Sequence, residues 1–89
     1  MDKITRKRAI HRLKITEGQI RGLQKMVDKE EYCVDIITQT SAIKQALSSI
    51  EDLILENHLA THVIAQIKSG QETKAIKEIL SVYKLSNRK

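Results

Sequence analysis

The chain contains no proline, tryptophan or phenylalanine, and only three of its 89 residues are glycine. Strands would require more aromatic residues, and a loop-rich fold would require more Gly and Pro, so these absences predict an all-α protein. No apolar run approaches the length of a membrane span, and the first residues contain no signal-peptide core. We therefore expect a cytoplasmic protein that does not interact with membranes.

Cysteine is nearly absent as well. Cys33 is the single cysteine, which excludes an internal disulfide framework. A lone thiol in a cytosolic protein is either a small buried apolar residue, which base rates favour, or a reactive or metal-binding one. The chain also has no nucleotide-binding loop and no acid–base constellation, which predicts that it is not an enzyme.

Charge is distributed unevenly. Residues 1–29 contain nine Lys/Arg and three Asp/Glu, residues 30–67 contain one Lys and six acids, and residues 68–89 contain six basic residues and two acids. The positive charge therefore lies at both ends of the chain, around an acidic middle. Such asymmetry indicates a polyanionic partner, although a basic face kept for solubility is an equal alternative.

Apolar periodicity predicts three helices in a single domain over residues 1–89, with residues 1–3 and 85–89 frayed. The first helix covers about residues 4–28, and its Gly18 and Gly22 suggest close packing against another helix. The charged residues 28–31 form the turn. A second helix runs without Gly or Pro to about residue 67, and Ser69 and Gly70 precede the third. The second helix carries a nearly coiled-coil stripe: Ile36, Ile43, Leu47, Ile50 and Ile54.

The length of the second helix predicts a partner chain. About three dozen residues of helix would extend about 50 Å, and a lone helix of that length cannot bury its stripe within so small a monomer. We therefore expect the long central helices of two chains to pack against each other.

Two of the three histidines, His58 and His62, are four residues apart and share one helix face. Such a pair is a common way to present two nitrogen ligands to a metal, although ordinary surface histidines are the more frequent case. Cys33 lies about 37 Å away on the same continuous helix. An antiparallel dimer with its two-fold axis near Ala46 and Leu47 would bring Cys33 of one chain to His58 and His62 of the other. One thiolate and two imidazoles suit Cu(I), whereas Zn(II), Ni(II) and Co(II) would require more ligands.

Three segments carry a family resemblance: "RLKITEGQIRGLQKMV", "EEYCVDIITQTSAIKQAL" and "LILENHLATHV". Together they resemble the copper-sensitive operon repressor (CsoR/RcnR) family of bacterial metal and stress sensors, over about residues 4–84. The resemblance implies an all-helical antiparallel dimer that assembles into a tetramer and binds operator DNA without a helix-turn-helix. It also implies that ligand binding releases the DNA.

By this resemblance, the metal ligands are Cys33, His58 and His62, and Tyr32 and Glu78 surround the His58 imidazole. Many copper-sensing relatives have Cys where this chain has His62, and the Cys-His-His set also occurs in the nickel/cobalt branch. That branch adds an N-terminal His, which is absent here, and aldehyde sensors have Pro where this chain has Asp2. These departures favour Cu(I), with Ni(II) or Co(II) as the alternative.

No zinc-finger spacing or aromatic stacking platform is present, so the basic first helix is the best candidate for holding DNA. The candidate residues are Lys7, Arg8, Arg12, Lys14 and Arg21. Some relatives carry a basic residue where this chain has Ser49.

The sequence therefore predicts a metal-responsive transcriptional repressor that senses Cu(I). A nickel/cobalt or aldehyde sensor of the same family is an alternative, as is a metal-storage or carrier protein that does not bind DNA. The sensors differ from one another in the expected ligand. They differ from the storage or carrier protein in that a repressor should bind DNA with an affinity that depends on salt.

Overall fold

The computed structural model describes residues 1–86, and the elements it defines in this part of the chain are all helical. They are α1 (Lys3–Asp28), α2 (Cys33–His58), a π-helical turn (Leu59–Val63), α3 (Ile64–Lys68) and α4 (Glu72–Ser86). The helical backbone continues from α2 through the π turn into α3, so the predicted all-α fold with a long central helical segment is confirmed. The α geometry expected throughout residues 32–67 is wrong at the π turn.

The first helix is capped from its first turn. The Asp2 carboxylate accepts a hydrogen bond from the Thr5 backbone N–H at 2.7 Å, which is the usual role of Asp at an N-cap. Asp2 therefore caps α1 and Lys3 begins it, whereas the fraying of residues 1–3 stays a prediction. At the other end of the chain, α4 extends to Ser86, and residues 87–89 lie outside the described residues.

The predicted turn at residues 28–31 is confirmed as a Schellman-type helix end. The backbone N–H of Glu31 donates to the carbonyl of Met26, and that of Glu30 donates to the carbonyl of Val27. Glu30 has a φ of 51°, the left-handed conformation that usually favours glycine at this position. The turn reverses the chain, so that α2 runs antiparallel to α1.

Contacts divide the chain into two compact units, of which the first is Met1–Asn57. Its small core contains Ala9, Ile43 and Ile50, with Thr5 and Thr16 also buried. Two hydrogen bonds link the helices: one joins the Arg12 guanidinium to the Ser49 hydroxyl at 3.2 Å, and the other joins Asn57 to Asp2. Ile43 and Ile50 are thus covered within the chain, so the prediction that the whole stripe awaits a partner is wrong for these two residues.

Other apolar side chains of this unit remain uncovered. They lie on both helices: Ile10, Leu13, Ile20, Val27, Val34, Ile37, Leu47 and Ile54. The close helix packing predicted at Gly22 is absent within the chain, because a Cβ there would meet no described atom within 4 Å. An approach by another chain stays a prediction.

The second unit begins at His58 and contains the π turn, α3 and α4. Val63 and Ala75 are its buried apolar side chains among the described residues. The connection from α3 to α4 is a second Schellman motif: Gln71 N–H donates to the Gln66 carbonyl at 2.7 Å, and Gly70 has a φ of 81°. This confirms the helix end predicted at Ser69 and Gly70. That all 89 residues form a single domain stays a prediction.

None of the helices within residues 1–86 combines the length and the apolar character that a membrane span requires.

Candidate metal centre

The two histidines of the second unit lie face to face. His58 is the last residue of α2, and His62 lies within the π turn that follows it. Their rings stack with centroids 5.1 Å apart and an interplanar angle of 23°. Two imidazoles this close together can offer one nitrogen each to a single ion, as the i, i+4 spacing predicted.

The π turn is the feature of this region that the sequence did not predict. Its five residues, Leu59–Val63, carry His62 and the buried Val63. Single π-helical turns inside α-helices occur frequently at functional sites, where they change the direction of a side chain relative to the regular helix. Here the irregular turn carries one of the two stacked rings.

Glu78 on α4 binds the His58 ring. The distance between His58 Nε2 and Glu78 Oε2 is 3.2 Å, and both side chains are about one-third exposed, at 34% and 37%. The hydrogen bond from His58 is the main cause that lowers the pKa of Glu78, and a hydrogen bond from the Gln66 side chain lowers it further. Glu78 is thus an ionised acceptor, and His58 donates to it through Nε2–H.

These hydrogen bonds determine which ring nitrogens face a ligand. In a neutral His58 imidazole that donates through Nε2, the Nδ1 atom carries the lone pair. The Nδ1 atom of His62 is 3.2 Å from the Thr61 hydroxyl, which can donate to it. The geometry therefore offers His58 Nδ1 and His62 Nε2 as the metal-binding atoms.

Cys33 is at the start of α2, whereas His58 is at the end of the same 26-residue helix. Its thiol is exposed, so the alternative of a small buried apolar residue is wrong. Within residues 1–86, no three His, Cys, Asp or Glu side chains are grouped closely enough to hold a metal ion. Tyr32 precedes α2 and is 70% exposed, and its carbonyl accepts the backbone N–H groups of Asp35 and Ile36.

The three candidate ligands have a chemical preference. If they were brought together, one thiol and two imidazole nitrogens would form a soft set of low coordination number, which fits Cu(I) better than the harder divalent ions. The negative charge of the thiolate would neutralise the single positive charge of Cu(I), and the two imidazoles would add no charge.

The basic side chains predicted to hold DNA all lie on α1. Lys7, Arg8 and Lys14 are exposed, and Arg12 is half-buried through its bond to Ser49. Arg21 is paired with Glu17 at 2.8 Å, which occupies part of its guanidinium. Lys7 also lines a shallow groove with Lys3, Arg6 and Ile10 near the start of the helix.

Two contacts of these regions were missed by sequence reasoning: Asp2 with Asn57, and Arg12 with Ser49. Both join residues far apart in sequence and left no local pattern.

Two known proteins of similar sequence are both named copper-sensing transcriptional repressors. The copper-sensing transcriptional repressor CsoR of Bacillus subtilis (strain 168) is 48% identical over 75 residues, which cover 83% of this chain and 73% of the relative. The copper-sensing transcriptional repressor CsoR of Mycobacterium ulcerans (strain Agy99) is 33% identical over 78 residues, which cover 88% of this chain and 67% of the relative. Both relatives are regulators of transcription rather than enzymes.

A solved structure has the same fold. The crystal structure of the copper-sensing repressor CsoR with Cu(I) from Geobacillus thermodenitrificans NG80-2 is similar with a TM-score of 0.88 and 38% identity, and the match covers 96% of this chain and 88% of that one. Residues 5–84 match the family described as metal-sensitive transcriptional repressor. The chain therefore belongs to the metal-sensitive transcriptional repressor family.

Proposed function

We propose that this protein is a Cu(I)-responsive transcriptional repressor of the cytoplasm. The observation that carries the proposal is the stacked pair of His58 and His62, with the His58 ring held by Glu78. It is supported by relatives that are named copper-sensing repressors and by a similar structure that contains Cu(I). Because the family consists of repressors, the chain is not an enzyme, and a storage or carrier role is not favoured.

The proposed site is shared between chains. Cys33 begins a helix that ends at His58, so one chain cannot bring the thiol to its own imidazoles along that helix. In an antiparallel dimer, Cys33 of one chain completes the site with His58 and His62 of the other, and each dimer has two such sites. The uncovered apolar side chains of α1 and α2 supply surface for this dimer and for its assembly into a tetramer.

Side chains of this protein would link ligand binding at His58 to a movement of α4. Cys33, His58 and His62 would hold Cu(I), and its coordination would require these three side chains to come together. Glu78 holds the His58 ring through Nε2 and keeps Nδ1 directed to the ligand. Since Glu78 lies on α4, any movement of His58 on binding is transmitted to that helix, with Tyr32 as the other proposed neighbour of the ring. This is the differential contact that an allosteric change requires.

Operator DNA is the proposed partner of the ligand-free form. The basic side chains of α1 are the proposed contacts: Lys7, Arg8, Arg12, Lys14 and Arg21. Such side chains bind phosphates mainly, so affinity should depend strongly on salt. When the assembly changes shape on ligand binding, the spacing of these residues no longer matches the phosphates, and the DNA is released.

The first experiment is an anaerobic titration of reduced protein with Cu(I) against a chromogenic Cu(I) chelator, followed by DNA binding. We expect one tightly bound Cu(I) per chain and loss of DNA affinity on loading. Cys33→Ala should abolish both responses but keep ligand-free DNA binding. His11→Ala is the matched control, because it removes the exposed third histidine outside the site.

Two results would contradict the proposal. Copper that still releases DNA from Cys33→Ala would exclude the site assignment. Failure of the wild-type protein to compete with the chelator would exclude Cu(I) and favour Ni(II), Co(II) or an aldehyde at the same cysteine.

A further inference from the structure

Asp2 holds the first turn of α1 through its side chain and its backbone. Its carboxylate oxygen Oδ1 accepts the Thr5 backbone N–H at 2.7 Å, and its backbone carbonyl accepts the Arg6 backbone N–H at 3.0 Å. Thr5 is also buried, so the turn is packed as well as capped. The position of this turn therefore depends on where Asp2 is held.

The second carboxylate oxygen of Asp2 makes a contact with α2. Oδ2 accepts a hydrogen bond from the side-chain amide of Asn57, which lies 55 residues away in the chain. A serine caps a helix about as well as an aspartate, but its side chain has no second oxygen. The contact with Asn57 is thus more than the capping of α1 requires.

Asn57 directly precedes His58 at the end of α2. Both residues belong to the same continuous α-helix, and Asn57 is half-buried there. Because hydrogen bonds between successive turns make an α-helix stiff, a displacement of His58 also displaces Asn57. The hydrogen bond between Arg12 and Ser49 also joins the two helices, but Ser49 lies nine residues before His58, about 14 Å along α2.

The turn that Asp2 holds carries exposed positive charge. Lys3, Arg6 and Lys7 line the shallow groove at the start of α1 together with Ile10, and all three basic residues are exposed. Lys7 is among the proposed phosphate contacts. A shift of this turn relative to the end of α2 therefore changes the positions of charges that would face DNA.

From these contacts we infer that Asp2 and Asn57 are positioning residues that couple the metal centre to the DNA-binding helix. Coordination at His58 moves the end of α2, and the hydrogen bond transmits this movement to the first turn of α1. The inference rests on the proposed function and deepens it, because neither residue touches the metal. Without the hydrogen bond, metal and DNA each still bind, but the two binding events are less strongly linked.

The test breaks the hydrogen bond from either side. Asn57→Ala removes the donor, whereas Asp2→Ser removes the second acceptor and keeps a residue that caps α1. Ser49→Ala is the matched control, because it removes the hydrogen bond from Arg12, which joins the same two helices farther from His58. For each variant, DNA affinity is measured without ligand and with saturating Cu(I), and the ratio of the two affinities is compared with the wild-type ratio.

We expect this ratio to fall about 2- to 10-fold in Asn57→Ala and in Asp2→Ser, the range that one net hydrogen bond supports. The double variant should lose no more than either single variant, because both substitutions remove the same contact. Ser49→Ala should keep the wild-type ratio. The loss of the Asp2 charge affects DNA affinity in both states, so its effect cancels in the ratio.

A second readout follows the first turn of α1 in the absence of DNA. Addition of Cu(I) should change the hydrogen-exchange rate of the Thr5 backbone N–H in the wild type, and should change it much less in Asn57→Ala. In the metal-free protein, Asp2→Ser should shift the NMR signals of the Asn57 side-chain amide. A contact that only stabilised the helix pair would lower the Tm of both variants and leave the copper response intact.

Wild-type ratios and a wild-type Thr5 response in the folded variants would overturn the inference, and so would an equal loss of coupling in Ser49→Ala. If one variant fails to fold, the other tests the same hydrogen bond. Failure of the proposed function is distinguishable, since the wild-type protein itself would then keep its DNA affinity in the presence of Cu(I).

Discussion

His58 Nε2 lies 3.2 Å from Oε2 of Glu78, although 20 residues separate them in the chain. The contact joins the last residue of α2 to the middle of α4, across the π turn and α3. In a neutral His58 ring, this contact favours the tautomer with the proton on Nε2, which leaves Nδ1 available for the proposed ligand. One hydrogen bond thus determines both the geometry of the candidate metal centre and its link to the last described helix.

Removal of this carboxylate should weaken ligand binding without removing a ligand. In Glu78→Ala, His58 loses its orienting acceptor, and we expect Cu(I) affinity to fall about 10- to 100-fold. Competition with a chromogenic chelator measures this change. Glu72→Ala, which removes an exposed acid from the same helix, should leave the affinity nearly unchanged. Equal effects of the two variants would contradict the assigned role of Glu78.

The site should also be restored by mixing two inactive variants. Cys33→Ala lacks the thiol, and a His58→Ala/His62→Ala double variant lacks the imidazoles. In a mixed antiparallel dimer, the intact Cys33 of one chain meets the intact histidines of the other, so roughly one site in four should recover after random exchange. Chelator competition on the exchanged mixture measures this. A mixture that stays inactive although heterodimers have formed would exclude the shared site.

Acid should destabilise the fold in part through Asp2. Hydrogen bonds, chiefly from the Thr5 backbone, lower the pKa of Asp2 from its ordinary value of 3.8. A lowered pKa means that the folded state favours the carboxylate, so this stabilisation is present above pH 3.8 and is lost as pH falls through the folded pKa. The Tm of Asp2→Ala should therefore lie below that of the wild type at neutral pH, and the difference should shrink in acid.

The control for Asp2 is Asp52→Ala, which removes an exposed acid of α2 outside any cap. A difference in Tm that grows as the pH is lowered would contradict the capping role of Asp2.

The two residues with left-handed backbone should respond oppositely to substitution. Glu30→Gly removes a side chain from left-handed backbone with a φ of 51°, and Gly70→Ala introduces a side chain where φ is 81°. We expect the first to stabilise and the second to destabilise the protein by about 1 kcal/mol each. Urea unfolding measures both. If both substitutions changed the free energy of unfolding in the same direction, the helix ends would not have this geometry in solution.

DNA binding should depend on the charge of α1 rather than on net charge alone. Lys14→Gln removes a proposed phosphate contact, so the slope of log affinity against log salt should decrease by about 1. Lys44→Gln removes the same charge from α2 and should have little effect. Fluorescence anisotropy with labelled operator DNA at several salt concentrations measures the slopes. Equal slopes for the two variants would argue against α1 as the DNA-binding surface.

Local features of this chain were predictable because they depend on neighbouring residues. Helical periodicity, the charged turn after Asp28 and the Ser69–Gly70 helix end were visible in the sequence and are confirmed. The spacing of His58 and His62 placed two imidazoles on one face, which the stacked rings agree with. Glu78 was named through a family resemblance, since no spacing rule singles it out from the other acids.

The amino-acid sequence by itself determined the helices, their ends, the segregation of charge and the proximity of the two histidines, because each depends on interactions within a few residues. Only the tertiary structure decided that Ile43 and Ile50 are buried within the chain, that the Cys33 thiol is exposed, and that the His58 ring meets the Glu78 carboxylate. It also decided that five residues adopt π geometry. These features depend on how helices distant in sequence pack, and periodicity within one helix contains no information about which neighbour will cover it.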